Sequence, residues 1–276
     1  MKPVFESDDL ERILKLLNDT TDPTQAVSIA DRRRMLIQGL AGLVDADVWI
    51  WSSTVANHEI PGDFMTTCVV DGGWKSADEP ARVYEILSSP EFGRRAMGKL
   101  YDAMAAGRRC TFVNGDIFPA GEEQRCTEIW RTTGFEHVLL ATYPIDRDFS
   151  SNLGLHRRIG RPPFSLRDRT IVQTVYGQVE WLHRSALNES VREAAIALTP
   201  RERQTLIYLL SGHSQRSIAE RMGISPHTVN DYLKQIHKRF GVKSRAELQA
   251  HFFLGGTSDE RLGPRRPPEV NTEQSG

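Results

Sequence analysis

Residues 198–253 read LTPRERQTLIYLLSGHSQRSIAERMGISPHTVNDYLKQIHKRFGVKSRAELQAHFF, and four short helical patterns lie end to end in them. Thr199 precedes Pro200, and Glu202 follows three residues after Thr199. That is an N-cap, a proline at the first helical position and a capping-box acid. Leu206, Leu209 and Leu210 add an apolar face at helical spacing. Ser211-Gly212 stops this helix, and Ser214 caps a second whose inward residues are Ile218, Ala219 and Met222. Gly223 permits a sharp turn. Ser225 caps a third helix with Pro226 at its first position, Val229, Leu233, Ile236 and Phe240 as one apolar stripe, and Gly241 as its end. Ser244 opens a fourth, carrying Ala246, Leu248 and Phe252.

The join between the second and third helices has the geometry of a helix-turn-helix. With the third helix's apolar stripe inward, a wheel at about 100° per residue turns His227, Asp231, Lys234 and Lys238 outward and puts Asn230 on the flank. Hydrogen-bonding and basic groups on one helix suit the DNA major groove. A merely solvated face has the same look, so this helix alone leaves both readings open.

The run Leu198-Thr199-Pro200-Arg201-Glu202-Arg203, with Gly212, Ser214, Ile218-Ala219, Ile224-Ser225, Thr228-Val229, Phe240-Gly241-Val242 and Ser244-Arg245 at their spacings, resembles the LuxR-type (GerE-like) DNA-binding domain of bacterial transcription regulators. The resemblance covers about a fifth of the chain. It implies a four-helix, all-α domain that binds double-stranded DNA, with Asn230, Asp231 and Lys234 reading bases. Gln215, Arg216, Ser225, His227, Thr228 and Lys238 would hold phosphates. It also implies pairing of two copies through the fourth helix, whose Leu248, Ala250, His251 and Phe252 look like more than one module buries. A homodimer on two half-sites is the expectation. The chain departs from the family in the third helix: Thr228-Val229 is followed by Asn230-Asp231-Tyr232, where the family usually has Lys, any residue, then His.

At 276 residues, about two domains are expected. The net charge of −1 hides an asymmetry. Residues 199–253 hold nine basic and four acidic residues, a net of +5 that leaves −6 for the rest. A basic module beside an acidic one fits a DNA-binding domain joined to a part that does not bind DNA. Cys68, Cys110 and Cys126 have no paired or metal-ligand spacing and read as reduced core thiols. The N-terminus has no apolar signal-peptide region, and no apolar run approaches about 18 residues. Localisation in the cytoplasm and no membrane contact are expected.

Upstream, Asp8 or Asp9 reads as the cap of a first helix with Leu10, Ile13, Leu14 and Leu17 on one face. A longer helix spans Gln25 to Val44, its Arg32-Arg33-Arg34 read as solvated. Val48–Trp51 and Met65–Val70 read as strands, with Asp71-Gly72-Gly73 as a hairpin tip. Helices follow at Glu79–Leu87, Phe92–Ala105 and Glu122–Trp130. Strands are expected at Cys110–Val113, His137–Pro144 and Leu153–Ile159. Ser165 caps a closing helix that runs to Leu182. Antiparallel strands with interspersed helices make an α+β sheet. The run LGLHRRIGRPPFSLRDRTI (Leu153–Ile171) resembles the end of a GAF domain, a PAS-like sheet being the near alternative.

The expected organisation is therefore an N-terminal helix (1–24), a GAF-like sensory or dimerisation domain (25–187), a helical linker (188–197), a LuxR-type helix-turn-helix domain (198–254) and a disordered tail (255–276). The linker has no Gly or Pro, so a nearly continuous helix is permitted across the joint. There is no phosphate loop, metal-ligand spacing or catalytic constellation. No cofactor, metal or enzymatic activity is expected. Asp8-Asp9 sit before a helix and not at a strand end, unlike a receiver's acidic pair. The spaced Trp, Tyr and Asp-Pro pattern of the acyl-homoserine-lactone-binding domain is not visible. Trp49, Trp51, Trp74 and His137 are candidates to line a small-molecule cavity, for an unidentified ligand. The function expected is a DNA-binding transcription regulator, with RNA polymerase as a further conceivable partner. A sigma-factor-like subunit is the alternative, against which the strands argue. A DNA-tethered enzyme ranks lower still.

Overall fold

The computed structural model describes residues 7–22, 24, 28–57, 64–88, 92, 97–146, 148–185 and 189–253. The chain opens with α1 (Ser7–Thr21) and α2 (Ile29–Leu43), then β1 (Val48–Ala56) and β2 (Phe64–Gly72). Next come α3 (Asp78–Ser88), α4 (Gly98–Ala105), β3 (Cys110–Val113), α5 (Glu123–Arg131), β4 (Phe135–Pro144) and β5 (Phe149–Arg158). Helices α6 (Leu166–Gln178), α7 (Glu180–Arg184) and α8 (Glu189–Ile196) lead into α9 (Pro200–Leu210), α10 (Gln215–Met222), α11 (Pro226–Phe240) and α12 (Arg245–Phe253).

The five strands form one antiparallel sheet in the order β2-β1-β5-β4-β3. Strand alternation sends Val48, Ile50, Val138 and Leu140 to a cluster with α3, α4 and α5. It sends Trp49, Trp51, Leu139, Leu153 and Leu155 to a cluster with α2 and α6. Both faces are covered, which is why His137–Pro144 reads as apolar nearly throughout. The second cluster continues without a break into Leu206, Ile218, Val229 and Phe252 of the helical module. An antiparallel α+β sheet domain followed by an all-α module is thus the architecture.

Several expectations change in detail. On α1, Ile13 is buried but Leu10 and Leu14 are about half exposed, because buried Asp9 faces the Arg167 guanidinium instead of capping the helix. Helix α2 starts at a Ser28–Asp31 capping box, not at Gln25. The basic triplet is not all solvated: Arg33 is buried, donates from Nη2 to the Leu182 carbonyl at 2.6 Å and lies over the Trp51 ring. Residues 71–73 are not a hairpin tip. The register pairs Ala56 with Phe64, so the tip falls between them, mostly outside the described residues. Glycine is needed at 72 because a Cβ there would collide with the Trp49 ring, and at 73 because its φ is +87° against the Asp47 carbonyl. Helix α4 accounts for the second half of Phe92–Ala105, and residues 93–96 lie outside the described residues.

The closing helix breaks at Val179, whose ψ of 44° separates α6 from α7. Nor does the joint form one helix: α8 stops at Ile196, and Thr199 is extended where it caps α9. The side chain of Cys68 and the tail beyond residue 253 lie outside the description, while Cys110 and Cys126 are in no disulfide. Among the described residues no helix is long and apolar enough to cross a membrane, and none group as a metal site.

Candidate nucleic-acid interface

Local signals build the helix-turn-helix. Gly223 takes φ 64°, in the left-handed region, and ends α10. Ile224 then donates its amide to the Ala219 carbonyl at 3.1 Å. The Ser225 hydroxyl accepts the Thr228 amide at 3.1 Å and starts α11. Gln215 Nε2 donates to the Pro226 carbonyl at 2.8 Å, tying the start of α10 to the start of α11. Arg245 donates to the Leu209 carbonyl at 2.6 Å and the His213 carbonyl at 3.2 Å, fixing α12 to the end of α9. Burial holds the Arg245 guanidinium below its ordinary pKa. Burial, with Arg221 and Arg245 nearby, does the same to His213.

The wheel of α11 holds. Val229, Ile236 and Phe240 are buried and Leu233 half-buried, while His227, Asp231, Lys234 and Lys238 are exposed and Asn230 and Thr228 half-buried. Asp231 stands between two basic side chains, 3.3 Å from His227 Nδ1 and 3.2 Å from Lys234 Nζ. One turn of the outer face is therefore a charged ladder in which the carboxylate positions its neighbours. Ser225, Thr228 and Gln215 lie together at the helix start, already engaged in holding the turn. Arg216 points outward from α10 and pairs with Glu220 at 3.1 Å, both well exposed.

One basic residue of the module is not available to DNA. Arg203 is buried; it donates to Asp148 Oδ1 at 3.1 Å and to the Ile196 and Leu198 carbonyls at 3.0 and 3.1 Å. The wheel could have flagged it, because Arg203 lies three and seven residues before Leu206 and Leu210, on the apolar stripe. Its partner, 55 residues upstream, had no local signal. On α12, Leu248 and Phe252 are fully buried within one chain, with Phe252 5.4 Å from the Phe240 ring. Ala250 and His251 are half-buried. The apolar surplus expected to need a second copy is absorbed internally, where α12 and α9 lie against β2.

The four candidates for a small-molecule cavity do not converge. Trp49 and Trp51 face α2 and α6, with Trp51 Nε1 donating to Ser151 Oγ at 2.8 Å; Trp74 packs on the opposite face, and His137 is half-buried on β4. A different group meets on the α3–α5 face. His156 is buried 5.3 Å from the Trp130 ring and 5.9 Å from the Phe135 ring, and Trp74 lies 6.1 Å from Phe135. The missing Cβ of Gly154 leaves room for His156 Nε2. Burial pushes the His156 pKa down to about 3, so the imidazole is neutral. Its Nδ1 and the indole N–H groups of Trp130 and Trp74 meet no partner among the described residues.

Residues 197–252 match the family described as "Bacterial regulatory proteins, luxR family" (GerE), and this part of the chain is a domain of that family. The same region is 37% identical over 62 residues to the "Transcriptional regulatory protein MctR" of Rhizobium johnstonii, covering 22% of this chain and 29% of that one. It is 42% identical over 53 residues to the "Probable HTH-type transcriptional regulator GfsR" of Streptomyces halstedii, covering 19% and 22%. The chain thus spans less than a third of the length of the curated relatives it matches. Among solved structures, "SdiA in complex with octanoyl-rac-glycerol" aligns over 90% of this chain and 95% of its own, at 17% identity and a TM-score of 0.43.

Proposed function

We propose that this chain regulates transcription by binding duplex DNA through α11, under control of a signal received by the sheet domain. The observation that carries this is the exposed face of α11 in a luxR-family domain, with Asn230, Asp231, Lys234 and Lys238 on its outer and flanking positions. Asn230 offers an amide that pairs bidentately with adenine; Asp231 accepts from cytosine N4 or orients Lys234. Gln215, Arg216, Ser225, His227, Thr228 and Lys238 contact phosphates and set register. One helix reads three or four bases, too few for a specific site, so two copies act together on half-sites about one helical turn apart.

Selection from a random duplex pool tests the reading. Asn230→Ala and Asp231→Ala should each change the preferred site at one base pair, a discrimination of about 1–3 kcal/mol. Lys238→Ala should weaken binding to all sequences and reduce the salt slope by about one. An identical preferred site for wild type and both reading variants removes Asn230 and Asp231 from base readout. Protection of a single half-site removes the homodimer.

The signal reading rests on the α3–α5 face, where two buried indole N–H groups and one imidazole nitrogen lack partners among the described residues. In folded proteins buried polar groups nearly always have a hydrogen-bond partner. A small, largely apolar ligand with hydrogen-bond acceptors suits them. Native mass spectrometry of the chain from its own host should show added mass, lost in Trp130→Phe. Host protein at bare chain mass, under every condition that changes transcription, sinks the ligand.

A further inference from the structure

The two halves are fastened at a place that neither half's own fold requires. The Arg203 guanidinium joins three segments: Asp148 in the β4–β5 connection, the Ile196 and Leu198 carbonyls at the end of α8, and α9 itself. Both side chains are sealed from water, at 5% and 2% exposure. Beside them, Asn57 at the end of β1 donates from Nδ2 to the Pro200 carbonyl at 3.0 Å, in the first turn of α9. The Ala56 amide donates to the Asp148 carbonyl at 2.8 Å, so the two grips share one end of the sheet. Residues 202–207 of α9 are all buried as a result, and α12 is turned onto the edge strand β2.

We propose that the Arg203–Asp148 pair, with Asn57, is a releasable clasp that holds the DNA-binding module on the sheet domain in a form of low DNA affinity. Docked, the module has one of its nine positive charges neutralised and out of reach, and its α9 and α12 faces are occupied by β2. Released, Arg203 leaves the Asp148 carboxylate behind, the field of the module rises, and both modules of a dimer are free to adopt half-site spacing. A buried ion pair suits a switch of this kind. Its Coulomb attraction roughly offsets the desolvation of two charges, so the pair itself adds little net free energy to the docked form while it keeps the contact specific in register. The signal then needs only a modest differential affinity for one form to shift the population. The clasp rests on the DNA-binding reading above, and the experiment separates the two.

Asp148→Ala and Asn57→Ala, both outside the DNA-binding module, are compared with wild type as full-length chains. The probe is a duplex selected from a random pool by any of the three proteins. Fluorescence anisotropy should show about tenfold tighter binding for Asp148→Ala, equivalent to about 1.4 kcal/mol, and a smaller gain for Asn57→Ala. Amide hydrogen exchange across residues 196–210 should rise in both. Loss of the module's own fold lowers affinity, and amide exchange in β1, β4 and β5 that stays at the wild-type level shows the sheet half intact, so the two together distinguish release from damage. Equal or weaker binding by both folded variants overturns the clasp, as does exchange at 196–210 that stays at the wild-type level. Failure of the DNA-binding reading looks different: no duplex is recovered from the pool by any of the three.

Discussion

Two helices on either side of the joint start in the same way, and the contrast between them explains how the halves differ. Helix α6 opens with Ser165 and Asp168, α9 with Thr199 and Glu202. In each the hydroxyl accepts the amide three residues on, and the carboxylate accepts the cap's own amide. They part in what the carboxylate does next. Glu202 turns back on Thr199, with its amide at 2.8 Å and its hydroxyl at 2.9 Å. Asp168 also takes Arg157 at 3.2 Å, and that guanidinium donates to the Val44, Asp45, Pro162 and Pro163 carbonyls. The box on α6 is a long-range knot that ties α2, β5 and the loop before α6, whereas the box on α9 is local. The sheet half is held by such knots, Arg33 to Leu182 and Trp51 to Ser151 among them. In the helical half, beside its apolar core, most polar contacts are caps and turns within a few residues, with Arg203 and Arg245 the long-range ones.

The sharpest way to break this contrast is to remove the acid from each box. Asp168→Ala takes away a cap partner and leaves the Arg157 charge buried beside no carboxylate of its own box. Removing one member of a buried pair costs about 3–5 kcal/mol. Urea unfolding followed by near-UV circular dichroism should show that loss in the sheet half. Glu202→Ala should cost about 1 kcal/mol or less, the ordinary worth of a cap contact. Equal costs for the two would mean the Arg157 knot contributes nothing.

A second effect, smaller than the first, comes from pH. Burial pushes His156 down to about 3 and His183 to about 4; the Tyr176 carbonyl opposes the shift at His183, and Arg33 and Arg109 add to it. An unfolded histidine takes a proton as pH falls below about 6.5. Between those values the unfolded chain binds more protons than the folded one, so stability rises with pH across this window. It is complete above about 6.5 and is lost as pH falls, by up to about 1.4 kcal/mol per pH unit for each histidine. Both histidines belong to the sheet half. His156→Gln should flatten the dependence of the unfolding midpoint between pH 6.5 and 4.5. A slope unchanged in that variant removes His156 from the account.

The same division decides what could be read from the sequence. The caps Thr199, Ser214 and Ser225, the left-handed Gly223 and Gly241 and the stripe Val229–Phe240 each act within a few residues, so the helical module and the outward set of α11 were legible. In the sheet half the strands were legible from their apolar runs, and Ser165 as a cap. What escaped is carried by contacts distant in sequence. Asp9 looked like a cap because Arg167 lies 158 residues away. Arg33 looked solvated because its acceptor, the Leu182 carbonyl, lies 149 residues away. Gly72-Gly73 looked like a turn because glycine's reason there, the Trp49 ring and the Asp47 backbone, belongs to the neighbouring strand. Trp130 and His156, from α5 and β5, meet only once the sheet is built.

The smallest effect sharpens the comparison from the local side. Thr199 is exposed, and its hydroxyl has one structural task, to accept the Glu202 amide at 3.3 Å while meeting the Glu202 carboxylate. Thr199→Ala removes that acceptor and should cost about 1 kcal/mol. In a chain of this size, unfolding as one unit, that lowers the unfolding midpoint by about 2–4 °C. Thr199→Ser keeps the oxygen and should restore nearly all of it. Ser165→Ala, the matching change on α6, should lower the midpoint by a similar amount, since Asp168 keeps Arg157 when the hydroxyl is gone. The two caps are thus predicted to be worth the same although their acids are not. The comparison is made by differential scanning calorimetry of the full-length variants. A Ser165→Ala loss several times that of Thr199→Ala would mean that the hydroxyl, too, belongs to the knot.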